Sequence, residues 1–254
     1  MTKIQYASDL HLEFAANQRW LKEHPLKKAA DILVLAGDIL YFDHEQYRQH
    51  PFWDSVASDF EQVLVVPGNH EFYKYFDLKT MTNGFSYDIR ENVHLYYNKV
   101  VHVADVDFIL STLWAHIPDD EANITEHYVS DFYKIRYGSR LLTAATFNEE
   151  HERCRMFIEK STAESHAAKK IVVTHHVPSF QLSHTIYEGS HINGAFTVEM
   201  ADFIKQSNVN AWIYGHSHQN IDRKIGNTQC VSNQLGYITH DEHWDFLQDK
   251  TIDV

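Results

Sequence analysis

The chain has 254 residues, a formal charge of −13 with neutral histidines, 44% hydrophobic residues and 22% charged residues. These proportions are those of a globular protein with one sizeable core, and they predict a single domain over residues 1–254. The acidic charge argues against a protein that neutralises nucleic-acid phosphates over a wide surface, so extended nucleic-acid binding is not expected.

The sequence contains no apolar run near the ~18 residues that a membrane-spanning helix requires, so no membrane partner is expected. The N-terminal stretch "MTKIQYASDL" lacks a basic region followed by an apolar core, and we do not expect a signal peptide. Two cysteines, Cys154 and Cys230, form no disulfide framework. Together these features predict a cytoplasmic protein.

Short apolar runs recur along the chain, each ending in a polar or glycine-containing turn. They are rich in Val, Ile and aromatic residues and show little polar alternation, which predicts strands buried on both faces. The clearest runs are "IQYAS" at 4–8, "DILVLAG" at 31–37, "QVLVVPG" at 62–68, "DFILST" at 107–112, "KIVVTH" at 170–175 and "NAWIYG" at 210–215.

Helical patterns lie between several of these runs. The strongest covers residues 146–167, where Thr146 and Glu149 match a capping box before a periodic apolar face. The other predicted helices cover 18–29, which Pro25 interrupts, and 195–206.

Alternation of strands and helices indicates an α/β fold in which helices flank two mixed β-sheets. A hairpin is predicted in "IDRKIGNTQCVS" at 221–232, with its turn at Gly226 and Asn227. Residues 118–145 are the least regular stretch, and we expect loops and short helices there, laid over one end of the sheets.

Polar side chains follow five of the six predicted strands, directly after each strand ends. Loops at the carboxyl ends of the strands in an open α/β sheet converge, so these side chains are expected to meet. Residues i and i+2 of an extended chain point to the same side, so the pairs in "DLH" and "HSH" are each expected to face one point. The stretches are "SDLHLE" with Asp9 and His11, "AGDI" with Asp38, "PGNHEF" with Asn69 and His70, "THHVP" with His175 and His176, and "GHSH" with His216 and His218.

This set of residue types predicts a metal centre. Imidazole and carboxylate ligands suit Zn, Mn, Fe or Co, and the absence of cysteine among them argues against a closed structural zinc site. Glycine before three of the stretches allows close backbone approach. Seven candidate ligands exceed what one ion needs and fit two metals that share a carboxylate. They are Asp9, His11, Asp38, Asn69, His175, His216 and His218.

Five motifs in this order, "DLH", "GD", "GNHE", "THH" and "GHSH", resemble the signature of the calcineurin-like metallophosphoesterase superfamily. The match runs from Asp9 to His218, and "VSNQLGY" at 231–237 resembles the closing strand of the bacterial stand-alone members. Each motif alone is weak, whereas all five in order at the ends of predicted strands are specific. The resemblance implies a sandwich of two mixed β-sheets flanked by helices.

The resemblance also implies a dinuclear metal-dependent phosphoesterase, either a phosphatase or a phosphodiesterase. Such an enzyme hydrolyses a small phosphate monoester or diester by attack of a hydroxide held by two ions, here Mn, Fe or Zn. His70 would not bind metal but would act as a catalytic group beside the leaving oxygen. One ion would be bound by Asp9, His11 and His218 and the other by Asn69, His175 and His216, with Asp38 as a bridging and catalytic carboxylate.

Several assignments have alternatives. His175 is preferred over His176 because it directly continues the apolar strand, and His176 would then point to the substrate or to a carboxylate near a ligand. The aromatic run at 71–76 is more typical of packing than of stacking on a substrate, and Glu71 is expected to fix its loop. Arg136 is more typical of a surface ion pair than of a phosphate clamp.

The alternative functions are a nuclease, a protein phosphatase or a non-catalytic scaffold on the same fold. A nuclease requires a basic track beside the cleft, and no dense run of Lys and Arg is present. The protein phosphatases of the superfamily place arginines to hold the phosphate, and no arginine follows closely after "GNHE". Loss of metal ligands would accompany a scaffold role, whereas all seven ligands are present.

Overall fold

The computed structural model describes residues 1–254, except for the side chain of His44. Two six-stranded mixed β-sheets form its centre. The strands of the first sheet are β1 (Lys3–Ala7), β2 (Ile32–Ala36), β3 (Gln62–Val66), β4 (Phe85–Arg90), β5 (Val93–Tyr97) and β14 (Thr251–Asp253). Those of the second are β6 (Lys99–Val103), β7 (Val106–Leu110), β10 (Lys169–Val173), β11 (Ala211–Tyr214), β12 (Arg223–Ile225) and β13 (Thr228–Ser232).

The centre of each sheet is parallel and its edges are antiparallel. The order is β14-β1-β2-β3-β5-β4 in the first sheet and β12-β13-β11-β10-β7-β6 in the second. Strands β1, β2, β3 and β5 run parallel, as do β13, β11, β10 and β7. The carboxyl ends of neighbouring parallel strands therefore lie at one edge, where their loops can meet.

Both faces of the central strands are buried. Along β2 every residue is buried, and Ile32 and Val34 belong to one apolar cluster while Leu33 and Leu35 belong to another. The first cluster lies between the sheets, since it joins alternate residues of β1, β2 and β3 to alternate residues of β7, β10 and β11. The six predicted strands and their burial on both faces are confirmed, and so is the predicted sandwich of mixed sheets.

Helices cover the outer faces of the two sheets and connect the parallel strands. They are α1 (Ala15–Glu23), α2 (His44–Gln49), α3 (Phe52–Asp59), α4 (Ala122–Tyr128), α5 (Asp131–Lys134), α6 (Ala144–Glu164) and α7 (Ala201–Gln206). Short 3₁₀ helices lie at His70–Phe72, Leu78–Thr80, Phe180–Leu182, Thr185–Tyr187, Asn193–Ala195 and Ile238–His240.

The predicted bounds of all three helices are wrong at one end or at both. Helix α6 begins two residues early because its capping box is formed by Thr143 and Thr146 rather than by Thr146 and Glu149. The first helix starts at Ala15 and ends at Glu23, before Pro25.

The predicted helix over 195–206 is helical only from Ala201. Before it, Thr197 forms an isolated β-bridge with Val177, and the backbone N–H of Val198 donates to the carbonyl of Val177. The apolar stripe of this segment is therefore buried by a strand-like contact as well as by the helix. The predicted hairpin at Gly226 and Asn227 is confirmed, as it connects β12 to β13.

The segment 118–145 contains α4, α5 and the two-stranded ribbon of β8 (Arg136–Tyr137) and β9 (Arg140–Leu141). Its residues 128–131 and Lys134 line a cleft at the carboxyl edge of the sheets. Short elements thus occupy this segment, and part of it lines the cleft. The single domain over residues 1–254 stays a prediction.

Candidate metal centre

The loops after β1, β2, β3, β10 and β11 meet at the carboxyl edge of the two sheets. Their nitrogen and carboxylate oxygen atoms form groups in which all the atoms lie within 4.8 Å of one another. One group contains Asp9, His11 and His218, and another contains Asp38, His175 and His216. Asn69 lies beside the second group, because its Oδ1 is 3.0 Å from His175 Nε2. All seven predicted ligands are thus brought together.

The local backbone differs from the extended geometry that the sequence suggested. Asp9, His11, Asp38, His216 and His218 have φ values of 53°, 48°, 55°, 75° and 52°. Non-glycine residues seldom adopt this left-handed region, which costs on the order of 1–3 kcal/mol for each residue. The pairs in "DLH" and "HSH" do converge, but because of tight left-handed turns rather than the alternation of a strand.

Hydrogen bonds hold these turns in place. The backbone N–H of His216 donates to both carboxylate oxygens of Asp9, at 3.0 and 3.1 Å, and that of His218 donates to Gln234 Oε1 at 2.7 Å. The backbone N–H of His11 donates to the carbonyl of Asp38 at 2.9 Å. Each loop is therefore fixed by a partner that is distant in sequence.

Two glycines allow these loops to approach one another. A Cβ on Gly215 would lie 2.6 Å from Asp9 Oδ2, and a Cβ on Gly68 would overlap Asp38 Oδ1. Any larger residue at either position would displace a carboxylate of the centre.

In the first group, the inward-facing atoms are 3.0 to 3.4 Å apart. His11 Nε2 is 3.0 Å from His218 Nε2, and His218 Nε2 is 3.4 Å from Asp9 Oδ1. The Nδ1 atoms of both imidazoles donate outward, to Glu13 at 3.0 Å and to Glu242 at 2.6 Å respectively. The two Nε2 atoms therefore face each other across 3.0 Å.

In the second group, His175 Nε2 is 3.0 Å from Asn69 Oδ1 and 3.1 Å from His216 Nδ1. Its Nδ1 donates to the carbonyl of Ala36 at 2.9 Å, which leaves Nε2 facing inward. The Asn69 amide donates from Nδ2 to Asp131 at 2.9 Å. This bond fixes the side-chain amide with its oxygen towards the group.

Asp38 lies between the two groups. Its Oδ2 is 3.8 Å from His11 Nε2, and its Oδ1 is 3.4 Å from His175 Nε2. Each carboxylate oxygen therefore faces one group.

The donor atoms fit metal ions. Metal–imidazole distances of about 2.0–2.1 Å place neighbouring ligand atoms roughly 3.0–3.5 Å apart. Most of the separations above lie within that range, and two imidazole nitrogens opposed at 3.0 Å repel each other unless a cation or a proton lies between them. His216 Nε2 is buried and has no hydrogen-bond partner among the described residues. The chemistry of the donor set, imidazole with carboxylate and amide oxygen, suits transition metals.

Protons are held by the same atoms. Burial alone would lower the pKa of His175 and His218, but the charge of Asp38 raises the pKa of His175 to about 9. Hydrogen bonds to Asp9 and Glu242 raise the pKa of His218 to about 10. Burial in turn raises the pKa of Asp9 and Asp38, yet the neighbouring histidines outweigh it and lower both. Binding of a metal at these atoms would displace protons.

His70 lines the cleft directly beside this centre and is 7% exposed. Its Nδ1 donates to Glu13 at 2.7 Å, its Nε2 lies 3.3 Å from the Tyr237 hydroxyl, and its ring stacks on Tyr73 with centroids 4.3 Å apart. Burial opposes protonation, but the charges of Asp38 and Glu13 raise the pKa of His70 above its usual value. His70 is thus oriented by a carboxylate and can hold a proton at the cleft.

The geometry separates the two histidines of "THHVP". His175 faces the centre, whereas His176 is fully buried, with its Nδ1 3.3 Å from the carbonyl of Thr112 and its ring 5.1 Å from Trp114. The expectation that His176 points to substrate or to a carboxylate is wrong, because the core of the second sheet encloses its ring.

Glu71 fixes the loop, as predicted. It is fully buried and accepts backbone N–H groups from Asp38 at 2.9 Å, Ile39 at 2.8 Å and Gly68 at 2.7 Å. One carboxylate thus connects the loop after β2 to the loop after β3. The neighbouring aromatic run is mainly packing, since Phe72 is fully buried and Tyr73 is 4% exposed, although Tyr73 also lines the cleft.

Three carboxylates that orient the centre were missed in the sequence. Glu13 lies two residues after His11 in "DLHLE", and this spacing was the available signal. Asp131 and Glu242 follow no motif, because their histidine and asparagine partners are distant along the chain. Arg136 is exposed and does not line the cleft, so it is not placed to clamp a phosphate.

Comparisons with known proteins bear on this centre. The sequence profile of the calcineurin-like phosphoesterase family matches residues 2–220. The chain belongs to the calcineurin-like phosphoesterase family. As a calcineurin-like phosphoesterase, it is a metal-dependent hydrolase of phosphoric esters, and the resemblance in the motifs is confirmed.

Two similar proteins span almost the whole calcineurin-like phosphoesterase chain. Uncharacterized protein L509 of Acanthamoeba polyphaga mimivirus is 27% identical over 264 residues, which cover 93% of this chain and 92% of the relative. The crystal structure of phosphopantetheinyl hydrolase from Mycobacterium tuberculosis superposes with a TM-score of 0.71 at 15% identity, covering 99% of this chain and 95% of that one. The second likeness establishes a shared fold.

Among the residues that the structure describes, no helix combines the length and the apolar character needed to traverse a bilayer.

Glu13 offers a test of how the centre is oriented. Glu13→Gln keeps the shape but removes the charge that both His11 Nδ1 and His70 Nδ1 face, and we expect kcat/KM to fall about 10- to 100-fold. Glu23→Gln, an exposed change at the end of α1, is the matched control. Steady-state kinetics and the thermal midpoint of both variants check this. Unchanged kinetics in Glu13→Gln would show that the carboxylate does not position either ring.

Proposed function

We propose that this protein is a dinuclear phosphoesterase that hydrolyses a small phosphate monoester or diester without a covalent intermediate. The observation that carries the proposal is the position of Asp38, with one oxygen 3.8 Å from His11 Nε2 and the other 3.4 Å from His175 Nε2. A carboxylate shared in this way supports two ions of Mn, Fe or Zn, rather than one. The cytoplasmic location inferred from the sequence stays a prediction.

The proposed ligand sets follow the two groups. Three residues would hold each ion, and Asp38 would be shared by both ions. The first set is Asp9, His11 and His218, and the second is Asn69, His175 and His216.

Bound metals supply charge that holds the phosphoryl oxygens and lowers the pKa of water. The residues of the chain orient the ligands and donate the proton. Glu13 and Asp131 keep the His11 ring and the Asn69 amide in their binding orientations. His70, at the cleft, donates a proton or a hydrogen bond to the alcohol oxygen as its bond to phosphorus breaks.

The cleft supports a small substrate. It encloses about 400 Å³, and among the residues that the structure describes no arginine lines it. A protein phosphatase would need guanidinium groups there to hold a phosphoprotein, and a nuclease would need a basic track. The complete set of candidate ligands likewise argues against a scaffold without catalysis.

The number of bound ions tests the proposal. After loading with Mn²⁺ or Zn²⁺ and removal of free metal, we expect close to two ions per chain by elemental analysis, because two sets of ligands are present. The loaded protein should hydrolyse an aryl phosphate or its diester, and a chelator should remove that activity. A stoichiometry near zero would contradict the enzyme, and a value near one would contradict the bridging role of Asp38.

A further inference from the structure

The walls of the cleft carry more aromatic surface than the metal centre needs. On one side Phe14 packs edge-on against Tyr237, with ring centroids 5.6 Å apart. On the other side Phe196 stacks on His216, with centroids 4.9 Å apart and an interplanar angle of 21°. Ring faces thus border both groups of candidate ligands.

Two further rings stand at the mouth of the cleft. Tyr128 ends α4 and is 68% exposed, and Tyr187 belongs to the short 3₁₀ helix at Thr185–Tyr187 and is 37% exposed. Exposed aromatic side chains at a concave site are typical of a ligand-binding surface rather than of the core. They come from segments about 60 residues apart in sequence, so the fold brings them to one opening.

Charge contributes little to these walls. Lys134 is the single lysine or arginine lining the cleft among the described residues, and its Nζ lies 4.5 Å from the centre of the Tyr73 ring. Asp131 and Glu242 are acidic and already accept hydrogen bonds from Asn69 and His218. Recognition of the part of the substrate beyond the phosphate therefore depends on ring faces and neutral hydroxyl groups.

We infer that the substrate is a phosphoester whose alcohol carries a planar aromatic ring. The ring stacks on Tyr128 and Tyr187 at the mouth of the cleft, and the phosphate faces the candidate ligands. This inference rests on the proposed function, and it names the class of substrate for which the proposed reaction is selective. Planar rings bind more tightly when they stack on tyrosine and phenylalanine, and the loss of one such contact lowers the affinity by about 5- to 100-fold.

The test compares two esters of the 5-hydroxyl of ribose, one with a purine base on C1 and the other with a hydroxyl group there. Adenosine 5′-phosphate and ribose 5-phosphate, each also as its methyl diester, are offered to the Mn²⁺-loaded protein. We expect kcat/KM to be at least about 10-fold higher for the adenosine compound of the preferred ester type. Equal values for the two compounds would overturn the inference and leave the proposed function standing. Turnover of none of the four by protein that hydrolyses an aryl phosphate would overturn the inference alone, whereas loss of the aryl phosphatase activity as well would overturn both.

Variants of the tyrosines at the mouth of the cleft test whether these rings cause the preference for the adenosine ester. Tyr128→Ala and Tyr187→Ala should each raise KM for the adenosine ester about 5-fold or more, with little change for the ribose ester. Tyr128→Phe keeps a ring and should behave as the wild type. Tyr75→Ala, at a 61% exposed tyrosine outside this cleft, is the control and should change neither ester. An equal loss for both esters in the two alanine variants would show that these rings support the fold rather than the ligand.

Discussion

Asp38→Ala is expected to reduce the hydrolysis of an aryl phosphate by about three orders of magnitude or more. Loss of both oxygens removes one ligand from each proposed ion and the acceptor of the His70 backbone N–H, which donates to Oδ1 at 2.8 Å. Metal charge stabilises the transition state by several kcal/mol, and each 1.36 kcal/mol corresponds to about tenfold in rate. Steady-state kinetics with saturating Mn²⁺ measures the loss.

Two further variants serve as comparisons for Asp38→Ala. Asp38→Asn retains one oxygen ligand and should bind metal better than the alanine variant while remaining well below the wild type. Asp202→Ala removes a carboxylate whose side chain is 90% exposed on α7, and it should leave activity unchanged. Elemental analysis should show fewer than two ions per chain in Asp38→Ala. Full activity in that variant would refute the bridge.

His70→Ala is expected to keep the metal and to lose most of its turnover. The ring faces the cleft but lies outside the two proposed ligand sets, so its loss removes a proton donor rather than a ligand. General acid assistance is typically worth about 100- to 10,000-fold. The loss should be large for an alkyl phosphate and much smaller for 4-nitrophenyl phosphate, because nitrophenolate leaves without needing a proton.

The dependence on the leaving group distinguishes the roles open to His70. A lower metal content in His70→Ala would show that His70 is a ligand. His11, Glu13 and His70 also offer ligand atoms that lie within 4.8 Å of one another. Equal losses for alkyl and nitrophenyl esters would indicate that the ring positions the substrate or the Glu13 carboxylate instead. His70→Asn, which keeps a hydrogen-bond donor, should recover part of the activity if a hydrogen bond rather than a full proton transfer is enough.

Much of the fold could be predicted because its signals are local. Runs such as "ILVLA" in β2 must be buried on both faces, and the helices between them follow from apolar periodicity. Boundaries were less predictable. The capping box of α6 uses Thr143 and Thr146, a threonine pair that fits the S/T-x-x-E pattern less well than Thr146 and Glu149.

The candidate site, like the fold, could be predicted from the sequence only in part. Its seven proposed ligands could be named from sequence because each follows a strand in a recognisable short motif. The carboxylates that orient them could not all be named. Glu242 lies 24 residues after His218, and Asp131 lies 62 residues after Asn69, so no local pattern connects either pair.

The sequence by itself determined the central buried strands, the loops that carry imidazole and carboxylate groups, and the family to which the chain belongs, because burial of apolar runs and short motifs are local properties. The tertiary structure decided the left-handed turns, the orientation of each ring and the aromatic walls of the cleft. These depend on contacts such as that of the His216 backbone N–H with Asp9, which joins residues 207 positions apart. Only folding brings such partners within hydrogen-bond distance, and their geometry fixes the direction in which each ligand points.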